Sequence, residues 1–252
     1  MNNVKFTKNN GVGILILDSP KRKNALNSED MLLLRDILSR EAQSDIYALI
    51  ISGSGDVFCS GADLSEIISI IGKHKKDQEL QSNDMSKLCD AIQNFPLPTV
   101  CALNGSAYGG GVEIACACDF RIAVSNIEIM VPPAKIGIHY HPAGIKRFLY
   151  IFGASTTKRL LLTATKMSEK ELKNVGFFDE IINEGENVIE RALDFIKLCK
   201  ELSPEAVRGM KLSINDIVMD SVNTQSFNSR IKQTLESRYL ERQLKFIKEK
   251  NS

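Results

Sequence analysis

Residues 104–119, NGSAYGGGVEIACACD, constrain this chain more than any other stretch. The apolar run before them, Thr99-Val100-Cys101-Ala102-Leu103, reads as a strand, and Val112 to Cys118 reads as an apolar helix whose one carboxylate is Glu113. Three consecutive glycines, Gly109, Gly110 and Gly111, fill the turn between them. Glycine lets a backbone come very close to a ligand. The first N–H groups of a helix lack intrahelical partners and carry the positive end of its dipole. Donors of that kind can hold a developing oxyanion. A lone carboxylate in an apolar helix is costly to bury as an anion, so its pKa is expected to rise. Glu113 is therefore a candidate general acid or base. The plainer alternative is a structural turn, with Glu113 only a dipole partner in the first helical turn. A second stretch, GDVFCSGADLSE over 55–66, also runs from a strand end, through Ser60-Gly61-Ala62-Asp63, into a helix. Two such turns can each supply one backbone N–H to the same oxygen.

Composition narrows the partners. A length of 252 residues suits one large domain or a domain with an appendage. A net charge of +1, with no basic patch interleaved with aromatics, predicts no nucleic-acid partner. No apolar run is long enough to span a bilayer, so no membrane partner is expected. The opening MNNVKFTKNN lacks an apolar signal core, which predicts a cytoplasmic protein. The six cysteines are scattered, mostly through apolar segments, and read as buried, reduced thiols.

In chain order, Val12–Asp18 is an apolar strand bounded by Gly11 and Ser19-Pro20. Asn27 or Ser28 caps a helix, with Glu29 and Asp30 in its first turn and helical spacing from Met31 to Arg40. Tyr47–Ser52 is a strand, Leu64–Ile71 starts a helix, and Gly72–Gln81 is a polar surface segment in which His74 is solvated. Cys59 reads as structural. Met85–Phe95 is an amphipathic helix stopped by Pro96 and Pro98. Asp119–Val124 returns as a strand, with Asp119 and Arg121 fixing the preceding helix end. A helix continues from Phe148 through Gly153 to Lys158, and another starts at a Ser168 cap with Glu171 three residues on. Asn187–Cys199 is amphipathic, Ser203-Pro204 opens a further helix, and the charged tail Phe227–Lys250 reads as a lid or subunit-interface helix. Alternating strands and helices with short turns give an α/β class.

FCSGADLSE, followed about forty residues later by NGSAYGGGVEIACACDFRIA, resembles the enoyl-CoA hydratase/isomerase (crotonase) superfamily, and the resemblance runs from Val12 to the C-terminal helices. It implies a crotonase-like spiral of ββα turns over residues 1–190 and a C-terminal helical lid or oligomerisation region over 191–252. A homotrimer or dimer of trimers is expected. It implies an acyl-CoA thioester substrate, with coenzyme A part of that substrate and no separate cofactor or metal. The N–H groups of Ala62 and Gly110 match the pair that polarises the thioester carbonyl. Lys21, Arg22 and Lys23 match a basic cluster along the CoA phosphates and pantetheine, and Ala25 a backbone contact. Ser60, Asp63 and Leu64 flank the first turn and are counted with the CoA site. A solvated basic loop is the alternative for each cation singly.

The segment 129–148, IMVPPAKIGIHYHPAGIKRF, departs from the family pattern. Ala134 stands where the hydratases carry a second Glu, and Ala143 where one group of isomerases carries its only one. Hydration needs one group to activate water and a proton source for the α-carbon. A single carboxylate therefore predicts proton shuttling or slow hydration. His139, Tyr140 and His141 are the candidate substitutes. A His-x-His pair without a third nearby ligand is a poor metal site. Tyr140, within Ile136-Gly137-Ile138-His139-Tyr140, matches a Tyr of the methylmalonyl-CoA decarboxylase branch, which carries a His where this chain has Ala62. A tyrosine there can orient a carboxylate, donate a proton or simply pack. Three readings stand: hydratase/isomerase chemistry, decarboxylation of a malonyl-type CoA, and a non-catalytic acyl-CoA-binding scaffold.

Overall fold

The chain opens with a hairpin that the apolar pattern does not announce. In the computed structural model, which describes residues 3–66, 84–183 and 185–250, β1 (Val4–Asn9) pairs antiparallel with β2 (Val12–Leu17). Asn10 and Gly11 join them, with φ of 49° and 81°, the left-handed pair that suits a two-residue hairpin turn. In β1 only Val4 is buried, and Phe6 is half-buried. An edge strand with one buried residue and exposed Lys5 and Lys8 carries little hydrophobic signal.

After β2 come α1 (Ser28–Glu41), β3 (Ala48–Gly53), β4 (Val57–Cys59), α2 (Asp84–Gln93), β5 (Thr99–Leu103) and β6 (Ser106–Tyr108). Then follow α3 (Gly110–Ala117), β7 (Phe120–Val124), β8 (Glu128–Met130), α4 (Pro142–Lys158), β9 (Met167–Ser168), α5 (Glu169–Asn174) and β10 (Glu180–Ile182). The larger sheet has the order β1-β2-β3-β5-β7-β10, and the smaller has β4-β6-β8-β9. Pairing is parallel except at β1 and β9. Three times the chain lays a strand in the larger sheet, then one in the smaller, then turns through helix: a spiral of ββα units, as expected.

Alternation sorts the large sheet's two faces. Leu15, Leu17, Leu49, Ile51 and Leu103 face the main core with Leu34, Phe58, Leu88, Val112 and Phe148. Val12, Ala48, Ile50, Val100 and Ile122 face the other way, onto Val188, Ala192 and Ile196 of α6 (Val188–Ile196). Residue 190, the edge of the expected core, lies within α6. Three helices complete the described chain: α7 (Pro204–Val218), α8 (Thr224–Leu235) and α9 (Arg238–Lys250). Among the described residues no helix is long and apolar enough to cross a membrane.

Local signals set the helix ends. Asn27 accepts from the Asp30 N–H at 2.8 Å, and Asp30 accepts in return from the Asn27 N–H at 3.2 Å, closing a capping box. Ser168 and Glu171 form another, and Ser203 caps α7 ahead of Pro204. Arg121 closes the end of α3, donating to the Cys118 carbonyl at 2.9 Å and to the Phe177 carbonyl at 2.6 Å. Asp119 accepts from the Thr99 N–H and from Lys211 on α7, both at 2.7 Å. Burial lowers the Lys211 pKa and the Asp119 charge offsets part of that, so one buried pair ties α7 to the sheet.

Two expectations change. The helix expected to run through Gly153 starts earlier, at Pro142 with His141 as its cap, and breaks at Gly153, whose φ of 68° and ψ of 169° are open to glycine but not to a helix. The tail is two helices, because the chain turns at Glu236-Ser237. The expected helix from Leu64 is helical over 64–66; its remainder and the Gly72–Gln81 segment with His74 lie outside the described residues.

The packing of the thiols is testable. Cys59, Cys89, Cys101, Cys116 and Cys118 are buried and Cys199 is half-buried. Burial pushes the Cys59 thiol up to about 12, and thiolate is the reactive form. A thiol reagent near neutral pH is expected to label Cys199 alone in the folded protein and all six cysteines after unfolding. Rapid labelling of two or more in the folded state would contradict this packing.

Candidate active site

The register of the small sheet brings the two glycine-bearing turns together. β4 and β6 run parallel with Cys59 opposite Ala107. Three residues further along the chain from each, beyond the strand ends, stand Ala62 and Gly110. Leu26 N–H donates to the Gly61 carbonyl at 2.9 Å, and Asp63 N–H donates to the Leu26 carbonyl at 2.8 Å. Those two bonds use the residues flanking Ala62, so by strand alternation the Ala62 N–H points away from Leu26. Gly110 opens α3, where an N–H has no intrahelical acceptor. Among the described residues neither N–H donates a hydrogen bond. Gly61 has φ 89°, and a Cβ there would stand 2.6 Å from Gly110 N and 3.0 Å from the Tyr108 carbonyl oxygen. The turns touch, and only glycine fits the contact. Met85 of α2 lies against Gly110, its Cε 2.6 Å from where a Cβ would be.

Glu113 sits one turn into α3 and is 2% exposed. Arg147 of α4, equally buried, donates Nη1 to Glu113 Oε1 at 2.7 Å. Its Nε donates to Gln93 Oε1 at 2.8 Å and its Nη2 to Asp90, both on α2. Burial pushes the Glu113 carboxyl above the ordinary carboxylate range; the Arg147 charge and the Tyr140 hydroxyl pull it back, and Asp90 adds to the rise. The expected rise is thus present, with a cation beside it that the sequence did not reveal. The Tyr140 ring lies beside the Glu113 carboxyl, and burial pushes the pKa of its hydroxyl well up. The Tyr140 ring packs on Phe148 with centroids 5.1 Å apart. Gly144 makes room for this: a Cβ there would stand 2.4 Å from Tyr140 Cε1 and 2.9 Å from Glu113 Cδ. Ala62, Gly110, Glu113 and Tyr140 therefore lie in one region.

The basic loop lies beside the Ala62 turn. Ser60 N–H donates to the Lys23 carbonyl at 3.0 Å, and Ala25 N–H to the Arg22 carbonyl at 3.1 Å. Arg22 is paired with Asp63 at 3.0 Å and lies 3.4 Å from Asp30, so Arg22 and Asp63 hold each other. Lys21 and Lys23 are exposed on either side, and Leu64 is exposed just past the turn. Ala134 is exposed in a short 3-10 turn, Pro133–Ile136, and Ala143 is the second residue of α4. His139 is exposed. His141 Nδ1 accepts from the Ala143 N–H at 3.3 Å and lies 3.0 Å from Ser86 Oγ, which makes the serine hydroxyl a donor to it. Among the described residues no cluster of three His, Cys, Asp or Glu side chains could hold a metal ion.

Sequence reasoning passed over Arg147 and Asn24. Arg147 follows Lys146 in a helix opening and looks like one of two surface cations. Its partners are 34, 54 and 57 residues away in sequence. Asn24 is 1% exposed with φ 54°. Its Oδ1 accepts from the Ser19 N–H at 2.8 Å, and its Nδ2 donates to the carbonyls of Val57 at 2.8 Å, Ser54 at 2.9 Å and Phe58 at 3.1 Å. An asparagine between basic residues and an apolar turn is a signal for such a role, since Asn tolerates this conformation and bonds nearby backbone.

The sequence profile of the enoyl-CoA hydratase/isomerase family matches residues 7–245. Over 227 residues the chain is 30% identical to the enoyl-CoA isomerase/hydratase fer4 of Mycosarcoma maydis, an alignment covering 81% of this chain and 77% of that protein. Over 210 residues it is 30% identical to the ethylmalonyl-CoA decarboxylase of Mus musculus, covering 82% of this chain and 65% of that one. The crystal structure of an enoyl-CoA hydratase from Bacillus anthracis matches with a TM-score of 0.82 at 25% identity, over 98% of this chain and 96% of that one.

Asn24→Ala strands several buried backbone groups at the base of the first turn. A loss of about 2–4 kcal/mol is expected from urea unfolding, with the slope unchanged. A loss near zero would show that the loop holds its place without this side chain.

Proposed function

The chain belongs to the enoyl-CoA hydratase/isomerase family, and from that premise we propose that it is an acyl-CoA enzyme working through a thioester enolate. The observation that carries the reading is the contact of Gly61 with Gly110, which leaves the Ala62 and Gly110 N–H groups unused and side by side. A thioester oxygen between them gains negative charge as the α-carbon loses its proton, and fixed donors stabilise that charge more than they stabilise the neutral carbonyl. Glu113 accepts the α-proton and returns it. Arg147 and Tyr140 keep its carboxyl oriented. Lys21 and Lys23, both exposed, take the CoA phosphates, with Ala25, Ser60 and Leu64 along the same surface; Arg22 and Asp63 fix the loop that carries them. The thioester is its own electron sink, so this chemistry calls for no separate cofactor. Alanines at 134 and 143 leave both familiar positions for a second acid empty, which supports proton shuttling over fast hydration.

Decarboxylation of a malonyl-type CoA is the second reading. It is supported by Tyr140 beside Glu113 and by the likeness to an ethylmalonyl-CoA decarboxylase. There the bond from the α-carbon to the carboxylate breaks, its electron pair enters the enolate, carbon dioxide leaves and a proton is added to the α-carbon. The assembly proposed is a homotrimer or dimer of trimers built through the C-terminal helices, where Leu244, Phe246 and Ile247 stand exposed. The unlinked cysteines support a reducing compartment, the cytoplasm.

Incubation with crotonyl-CoA in heavy water, followed by mass spectrometry, separates the outcomes. Deuterium uptake without water addition is expected. Rapid gain of water would establish hydration, carbon dioxide release from ethylmalonyl-CoA would establish the second reading, and no turnover of either thioester would sink both. Glu113→Gln is expected to lose about 10²–10⁴ in turnover while still binding coenzyme A; an unchanged rate would remove Glu113 from the chemistry. Gly61→Ala, by separating the turns, is expected to cost about 10²–10³, read in the same assay.

A further inference from the structure

Asp90 and Gln93 have no part in the chemistry above, yet they occupy two of the three faces of the Arg147 guanidinium. Three residues apart, they share a face of α2. Arg147 meets them with Nη2 and Nε, which leaves Nη1 for Glu113. A guanidinium is a planar, rigid fork, so fixing two of its edges fixes the third. Arg147 and Glu113 are both about 2% exposed, whereas the Asp90 side chain is 47% exposed. A half-open carboxylate thus shares a buried cation with a closed one.

We propose that Asp90 and Gln93 are positioning residues that act through Arg147: they aim one guanidinium N–H at one Glu113 oxygen, and Asp90 limits how firmly that cation holds Glu113 as an anion. The proposal rests on the role given to Glu113 above. Glu113 must lose and regain a proton in each turnover. A cation reserved for Glu113 would hold it ionised and make it a weak base. Asp90 draws on the same cation and lessens that hold. Among the described residues, the other titratable groups facing Glu113 are Cys89 on α2, Cys116 on α3 and Tyr140 ahead of α4. Burial pushes all three upward, so they stay neutral near pH 7, and among the described residues Arg147 and Asp90 bring the charge that acts most on the carboxyl.

The test follows Glu113 itself. The infrared band of its protonated carboxyl, assigned by its loss in Glu113→Gln, is titrated over about pH 4–9 in the folded protein without substrate. Asp90→Asn keeps an oxygen for Nη2 and removes the competing charge, so the titration of Glu113 is expected to move down. Arg147→Met removes the cation, and the titration is expected to move up by roughly 1–3 units. Arg147→Lys restores charge without the fork: the titration is expected to return most of the way while turnover stays low. A merely structural role would lower stability and rate in all three without opposite shifts. A titration that stays put or rises in Asp90→Asn overturns the proposal, and this variant, at a half-open position, keeps the test in force if Arg147→Met does not fold. If the titrations move as expected while wild type exchanges no α-proton and decarboxylates no thioester, the enzymatic reading fails and the positioning role stands.

Discussion

The contact between the backbone at Gly61 and the start of α3 is the constraint from which the site follows. It exists because β4 and β6 are neighbours in register, and they are neighbours because each ββα unit adds one strand to each sheet. Any residue with a side chain at position 61 would drive the turns apart. Its surroundings are locked accordingly: the Asn24 side chain spans from Ser19 to the Val57 and Phe58 carbonyls, and the buried Cys59 thiol accepts from the Gly61 N–H while donating to the Asn24 carbonyl. In the proposed function, the Ala62 and Gly110 donors, held by this many backbone ties, need little reorganisation when charge appears between them.

Buried charge is the second organising theme. Glu113 with Arg147, and Asp119 with Lys211, are ion pairs taken largely out of water. Such pairs often return less than their desolvation costs, while removing one partner is strongly destabilising. Their value here is positional. Lys211 sets where α7 meets the sheet, and Arg147 sets how α2 and α4 meet α3. Arg121 does similar work with carbonyls, gathering Cys118 at the end of α3 and Phe177 before β10.

The parts legible in the sequence were those whose signal is local. Continuous apolar runs gave β2, β3 and β5, capping residues gave the starts of α1, α5 and α7, and the glycines marked both turns. β1 escaped because an edge strand buries one face, and here almost one residue. Gly153 escaped because a glycine in an apolar run reads equally as helix or break. Arg147 escaped because its meaning lies in partners on two other helices; no spacing within α4 encodes them. The reverse holds for Ala134 and Ala143, whose significance came only from comparison with a family pattern, since an alanine carries no signal of a missing acid.

One contact at the site bears on breadth of substrate. Among the described residues, the side chain lying closest over Gly110 is Met85, an unbranched thioether with three rotatable bonds. In the proposed function, the reacting centre is therefore bounded on the α2 side by a readily deformable apolar side chain, while the Ala62 and Gly110 donors beneath it are rigid. Such a division makes the chemistry fixed and the fit adjustable. On the proposed function, acyl groups of differing outline can be admitted by turning one methionine, and selection for a new thioester can begin at position 85 without disturbing the donors proposed to hold the enolate.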